Sequence, residues 1–185
     1  MKKLRAFTLL ELLITVALIS ILAGILFVSI GQTPLQKARV AQALATADQM
    51  KTAIERYALD MGFYPPDVGR GWDPGLAQPF IYNPDTGQQL ASCPGCPTDY
   101  SNWSGPYITY WPKFTPWGGK YDYNYWPAGA SRYGCTVPAG VFLGIQGDYS
   151  NFNTIPPAAE QMLIGGKFEA EQCLNGESQL MLKAF

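Results

Sequence analysis

Apolar and polar positions divide the chain into three zones. From Leu12 to Gln36 there is no charged residue, and Leu12 to Ile30 is almost wholly apolar. At a helical rise of about 1.5 Å per residue, Leu12–Ile30 would reach about 28 Å, enough to span a hydrocarbon core. Beyond Lys37 the pattern becomes amphipathic. Val40, Leu44, Ala47, Met50, Ile54, Tyr57 and Met61 recur at steps of three and four, while Lys51, Glu55, Arg56 and Asp60 fall largely off that stripe. This is helical periodicity, and it predicts a helix lying against a core. Gly62 suits a C-terminal cap, and Pro65-Pro66 forbids continuation. Gly31 and Pro34 interrupt the join between the two stretches, so any kink or unwinding is expected there.

The third zone changes period. Phe63 to Pro106 is rich in turn residues. Gly118-Gly119 signals a turn, after which Tyr121, Tyr123 and Tyr125 alternate with polar residues, predicting a half-buried strand. Val141–Ile145 reads as a second strand. Ala158–Ile164 reads as a short helix ended by Gly165-Gly166, and Gln179–Leu182 as a last strand or a tail. There is no internal repeat and no low-complexity tract.

Charge adds a direction. Three of the thirteen basic residues (Lys2, Lys3, Arg5) precede the apolar run. Basic residues stay on the cytoplasmic side, which would place everything after the run outside. Losing that leader leaves ten basic (thirteen less three) against fourteen acidic residues, a net charge of −4. Near-neutrality gives no broad attraction to nucleic acid, and none is required as a partner. Histidine is absent, which excludes Ser-His-Asp and Cys-His catalysis and every histidine-containing metal site. With no paired-carboxylate motif either, an enzyme is not expected.

Glu11 is the one charge at the edge of the apolar run. Carrying it to a bilayer centre would cost about 2.5–3.5 kcal/mol, which a generic anchor has no reason to bear. The alternatives are an uncleaved signal-anchor or a general secretory signal peptide, but no small-x-small site followed by a polar start is evident. The string Lys2-Lys3-Leu4-Arg5-Ala6 followed by Phe7-Thr8-Leu9-Leu10-Glu11-Leu12-Leu13 resembles the class III signal of type IV prepilins. That resemblance implies cleavage between Ala6 and Phe7 by a prepilin peptidase and N-methylation of Phe7. It also implies an assembly role for Glu11, the fifth residue of the mature chain. Ala6 stands where glycine is more common. Arg56 to Pro65 looks like the helix exit of major pseudopilins of type II secretion systems. Pro116-Trp117-Gly118-Gly119-Lys120-Tyr121 looks like their strand-opening motif, with Thr115 where aspartate is usual.

The fold expected is α+β and pilin-like, a long N-terminal helix packed on a small antiparallel β-sheet head with long loops. Residues 1–6 would be the leader, 7–30 the transmembrane and filament-core helix, 31–62 the amphipathic helix, and 63–185 the head. The implied partners are further copies in a homo-oligomeric filament, the peptidase, the assembly platform with its ATPase machinery, and the inner membrane. The finished filament would be periplasmic or on the cell surface.

Cys93, Cys96, Cys135 and Cys173 fall on the exported side, where disulfides persist, and four cysteines allow three pairings. Cys93–Cys96 and Cys135–Cys173 are expected. Zinc is a weaker alternative because the second two cysteines do not form a close pair, and a redox CxxC lacks its βαβ surroundings. Major pseudopilins often hold calcium near the C-terminus. The nearest oxygen-rich loop here has Asp148, Asn151 and Asn153, but only one carboxylate, so a polar turn with no cofactor is the expected reading and calcium the alternative. Trp72, Trp103, Trp111, Trp117 and Trp126 are open to two readings, core or subunit contacts and carbohydrate capture. Three function classes follow: a filament subunit (secretion pseudopilin or true surface pilin), a membrane-anchored glycan- or substrate-binding protein, and an anchored enzyme.

Overall fold

In the computed structural model the described residues are 9–30, 33–93, 95–132, 135–148, 150, 154–164 and 176–185. Contacts divide the chain into two units, residues 1–38 and 39–185.

The first unit contains helix α1, Leu9–Ile30, 22 residues long. At about 1.5 Å per residue this is about 33 Å of helix. Its described side chains, Leu9 to Ile21, are all exposed. The hydroxyls of Thr15 and Ser20 donate back to the carbonyls of Leu12 and Val16. Such bonds hide the hydroxyls from the helix surface, so Leu9 to Ile21 presents an apolar wall apart from Glu11. Among the described residues no helix is long and apolar enough to cross a membrane. On α1 that description of side chains stops at Ile21, while the helical backbone runs on to Ile30. Helix α2 spans Thr33–Met61, with Pro34 in its first turn, where the missing N–H has no helical partner to lose. The join expected to kink includes Gly31 and Gln32, which lie outside the described residues.

In the head, α2 buries Val40, Ala43, Ala47, Met50, Ala53, Ile54, Tyr57 and Met61. This is the stripe read from the sequence, with two additions and with Leu44 moved to its half-buried margin. Ala43 and Ala53 carry so little apolar surface that periodicity alone passes over them. The helix ends as expected: Gly62 takes φ +80° and its N–H donates to the carbonyl of Ala58 at 3.0 Å, the αL cap bond.

Strand β1 (Gly118–Trp126) leads into a hairpin of β2 (Ala130–Arg132) and β3 (Cys135–Val137), followed by β4 (Gly140–Gly147), helix α3 (Pro157–Ile164) and β5 (Glu177–Ala184). The main sheet has the order β1-β4-β5 and is antiparallel throughout. Tyr121 and Tyr123 on β1, Val141, Leu143 and Ile145 on β4, and Leu180 and Leu182 on β5 share one core with the α2 stripe. The last segment is therefore a strand and not a tail.

One expectation needs correction. Strand β1 is not half-buried: Asp122 and Asn124, read as its solvent side, are 8% and 5% exposed. Period 2 separates two faces but does not say what covers the second. Here Trp126, Val137 and Phe142 form a second small core on that face, and the segment Asp67–Gly71 runs beside β1. Gly71 N–H donates to Tyr121 O at 2.9 Å, and Tyr125 N–H reaches Asp67 Oδ2 at 3.4 Å.

The opening of β1 shows why its glycines are needed. Gly118 closes a turn on Thr115 O at 2.9 Å with φ +86°, and the register with β4 slips before Tyr121. A Cβ on Gly119 would lie 2.3 Å from Gln146 O, so only hydrogen fits where the strands approach. Thr115 anchors this turn, since its hydroxyl donates to Gln146 O and accepts from Trp117 N–H.

Candidate functional sites

The cleavage and assembly residues expected from the sequence are Ala6, Phe7 and Glu11. Ala6 and Phe7 lie outside the described residues. Glu11 sits in the first turn of α1 and is exposed. A carboxylate there gains about 0.3–1 kcal/mol from the helix dipole. That does not account for a charge placed on an apolar wall.

The head sites separate. Cys93 and Cys96 are joined by a disulfide with Cα atoms 5.1 Å apart, and Cys96 N–H donates to Cys93 O at 3.0 Å. Cys173 lies outside the described residues, as does any bond it makes to Cys135. Of the calcium candidates, Asn151 and Asn153 also lie outside them. Asp148 lies beside the turn that opens β1, its Cβ 3.4 Å from where a side chain on Gly118 would begin. Among the described residues no group of three or more acidic or cysteine side chains is placed to hold a metal. Trp111 and Trp117 are core residues. Trp103 is half-buried and donates its indole N–H to Gly75 O at 2.9 Å.

Asp73 is a buried structural carboxylate. It accepts backbone N–H bonds from Gly75, Leu76 and Ala77 at 2.9, 2.7 and 2.9 Å. Burial outweighs these bonds and raises its pKa to about 6.

A site missed by sequence reasoning lies on the outer face of the sheet. Asp122, Gly144 and Gln179 are aligned across β1, β4 and β5. Because Gly144 has no side chain, its neighbours converge over it: an added Cβ would meet Gln179 Nε2 at 2.9 Å and Asp122 Cβ at 3.0 Å. Asn124 donates to Gln179 Oε1 at 3.1 Å. Arg70 approaches Asp122 at 3.8 Å and Glu177 at 3.6 Å. Asp67, Arg70, Asp122, Asn124, Trp126, Glu177 and Gln179 line a cleft of about 430 Å³. Burial, with Asp67 and Glu177 adding repulsion against the pull of Arg70, raises the Asp122 pKa to about 7. The available signal was the pair Glu177 and Gln179, which alternates with Ser178 and Leu180 just as Asp122 and Asn124 alternate with the tyrosines.

An N-terminal helix followed by a small antiparallel-sheet head is an α+β, pilin-like arrangement. Residues 1–27 match the family model of the prokaryotic N-terminal methylation motif. The match supports a class III prepilin-like signal and, in general terms, a type IV pilin-like or pseudopilin subunit, a structural protein processed by a prepilin peptidase. Comparison with the curated proteins and with the solved structures returns no match.

Proposed function

We propose that this chain is the structural subunit of a type IV pilus-like filament of the type II secretion major pseudopilin kind. Prepilin peptidase cuts it between Ala6 and Phe7 and methylates Phe7. The inner membrane holds α1 before the platform and its ATPase draw subunits into the filament, with the head outside the cytoplasm. The observation that carries the reading is Glu11, one carboxylate on the otherwise apolar exposed stretch Leu9 to Ile21 of α1, within the residues that the methylation motif matches. Cleavage creates a positive amine on Phe7, and Glu11 of an adjacent subunit neutralises it in the apolar filament core. Removing one partner of such a buried pair costs about 3–5 kcal/mol. Glu11→Ala should therefore lower assembled filament roughly 100-fold or more relative to membrane-held subunit, read by shearing and immunoblot. Normal yield would refute the pairing. Mass spectrometry of the mature chain tests the rest: an N-methylated Phe7 is expected, and an intact Met1 would sink the pathway.

A true surface pilin is the second reading, favoured by the Cys93–Cys96 disulfide in the long loop region that precedes β1. Deletion separates the two. Retained secretion substrates mark the pseudopilin, and lost surface filaments mark the pilus.

A further inference from the structure

The outer-face cleft lies on the sheet face opposite α2 and is lined by buried amides and carboxyl groups. Gln179 is 2% exposed and Asn124 5%. Their amides bond to each other, and Asn124 also reaches Asp122 O at 3.4 Å. Whichever way the two amides turn, the bond between them leaves one NH2 group and one carbonyl oxygen outside it. As oriented, Gln179 Nε2 and Asn124 Oδ1 have no hydrogen-bond partner among the described residues, yet neither is sealed away in the core. Polar groups this deeply placed cost free energy unless something meets them.

The surroundings restrict what that can be. An anion is opposed by Asp67, Asp122 and Glu177, which outnumber Arg70 on the walls. A metal or ammonium ion offers no acceptor to Gln179. A hydroxyl is donor and acceptor on one atom, and neighbouring hydroxyls on a ring can reach the amide pair and the carboxylates together. Trp126, 7% exposed and packed on Phe142, borders the cleft on its apolar side. The volume is at the small end of ligand sites, about 300–1,000 Å³, which suits one or two sugar rings.

We propose that the cleft bounded by Asp67, Arg70, Asp122, Asn124, Gln179 and Trp126 is a binding site for a neutral carbohydrate, with the Asn124–Gln179 amide pair as its floor. The site is independent of the filament reading and would serve a head displayed on a filament or on a membrane equally.

The test uses the full chain in a detergent without a sugar headgroup, labelled with 5-fluorotryptophan. The Trp126 signal is assigned through Trp126→Phe. Glucose, galactose, N-acetylglucosamine and their disaccharides are titrated, alongside putrescine as a cation and N-methylacetamide as an amide. At least one sugar should shift the Trp126 signal saturably. Gln179→Met, close in volume, should weaken that binding about tenfold, the scale of one lost polar contact. Ser131→Tyr, on the exposed hairpin, should fill the cleft and abolish the shift without touching its floor, which keeps the test decisive if Gln179→Met does not fold. The proposal fails if no sugar moves the signal, if putrescine or the amide saturates it instead, or if sugar binding survives both substitutions in folded protein.

Discussion

Tyr57 offers the sharpest check of the head core. It is fully buried on the inner face of α2, with ring centroids 5.7 Å from Tyr107 and 6.1 Å from Phe63, both edge-to-face. Its ring also backs onto Gly75, whose Cβ, if present, would sit 3.6 Å away. Its hydroxyl has no hydrogen-bond partner among the described residues. Burial, with Tyr100, Tyr107 and Asp73 nearby, pushes the phenol pKa well above its ordinary value. An unmet buried hydroxyl costs about 1–3 kcal/mol, while deleting one oxygen forfeits only a few contacts of about 0.1–0.2 kcal/mol each. Tyr57→Phe should therefore stabilise the head by about 1 kcal/mol, the low end of that cost after lost contacts are subtracted. Tyr57→Ala removes the ring as well and should cost about 3–5 kcal/mol. Guanidinium unfolding of the full chain in mild detergent, followed by tryptophan fluorescence, measures both. The Phe variant should raise the midpoint without changing the slope. A loss of about 1 kcal/mol or more in Tyr57→Phe would show that the hydroxyl is bonded, and the reasoning would fail.

Further outcomes concern the sheet and the loops. The folded-state pKa of Asp122, about 7, lies above its unfolded value, so the folded protein binds more protons between them. The stability that Asp122 contributes should be fully present below about pH 4 and be lost as pH rises through 7, by at most about 4 kcal/mol at 1.36 kcal/mol per pH unit. Asp73, raised to about 6, acts in the same direction over a lower interval. Asp122→Asn should flatten the part of the melting profile between pH 6 and 8, and an unchanged slope would remove Asp122 as its source. Gly119→Ala places a methyl 2.3 Å from Gln146 O, so the β1–β4 pairing must shift. A loss of about 3 kcal/mol, within the range for overpacking, is expected in thermal unfolding. The Cys93–Cys96 disulfide closes a very short loop, so Cys93→Ser with Cys96→Ser should cost no more than about 2 kcal/mol by chain-entropy reasoning, measured against the oxidised parent.

The parts legible in sequence were those fixed by local periodicity and by single residues with narrow uses. Period 3.6 marked the buried face of α2 because an amphipathic helix has only one way to turn its apolar stripe inward. Gly62 marked its end because few residues tolerate φ +80°. The N-terminal string was legible because its meaning rests on residue order and not on folding. The outer face of the sheet was not legible. Alternation along β1 assigned Asp122 and Asn124 to the side away from α2, correctly. Whether that side met solvent depended on the β2–β3 hairpin that follows β1 and, above all, on Asp67–Gly71, which reaches it across a long stretch of chain. Gly144 reads as an unremarkable residue within a strand until Asp122 and Gln179 are seen to meet over it. Sequence by itself therefore determined the helices, the strand faces and the N-terminal signal, each set by neighbours within a few residues. Tertiary structure alone decided that the second sheet face is a polar cleft, because burial there is imposed by segments far away along the chain.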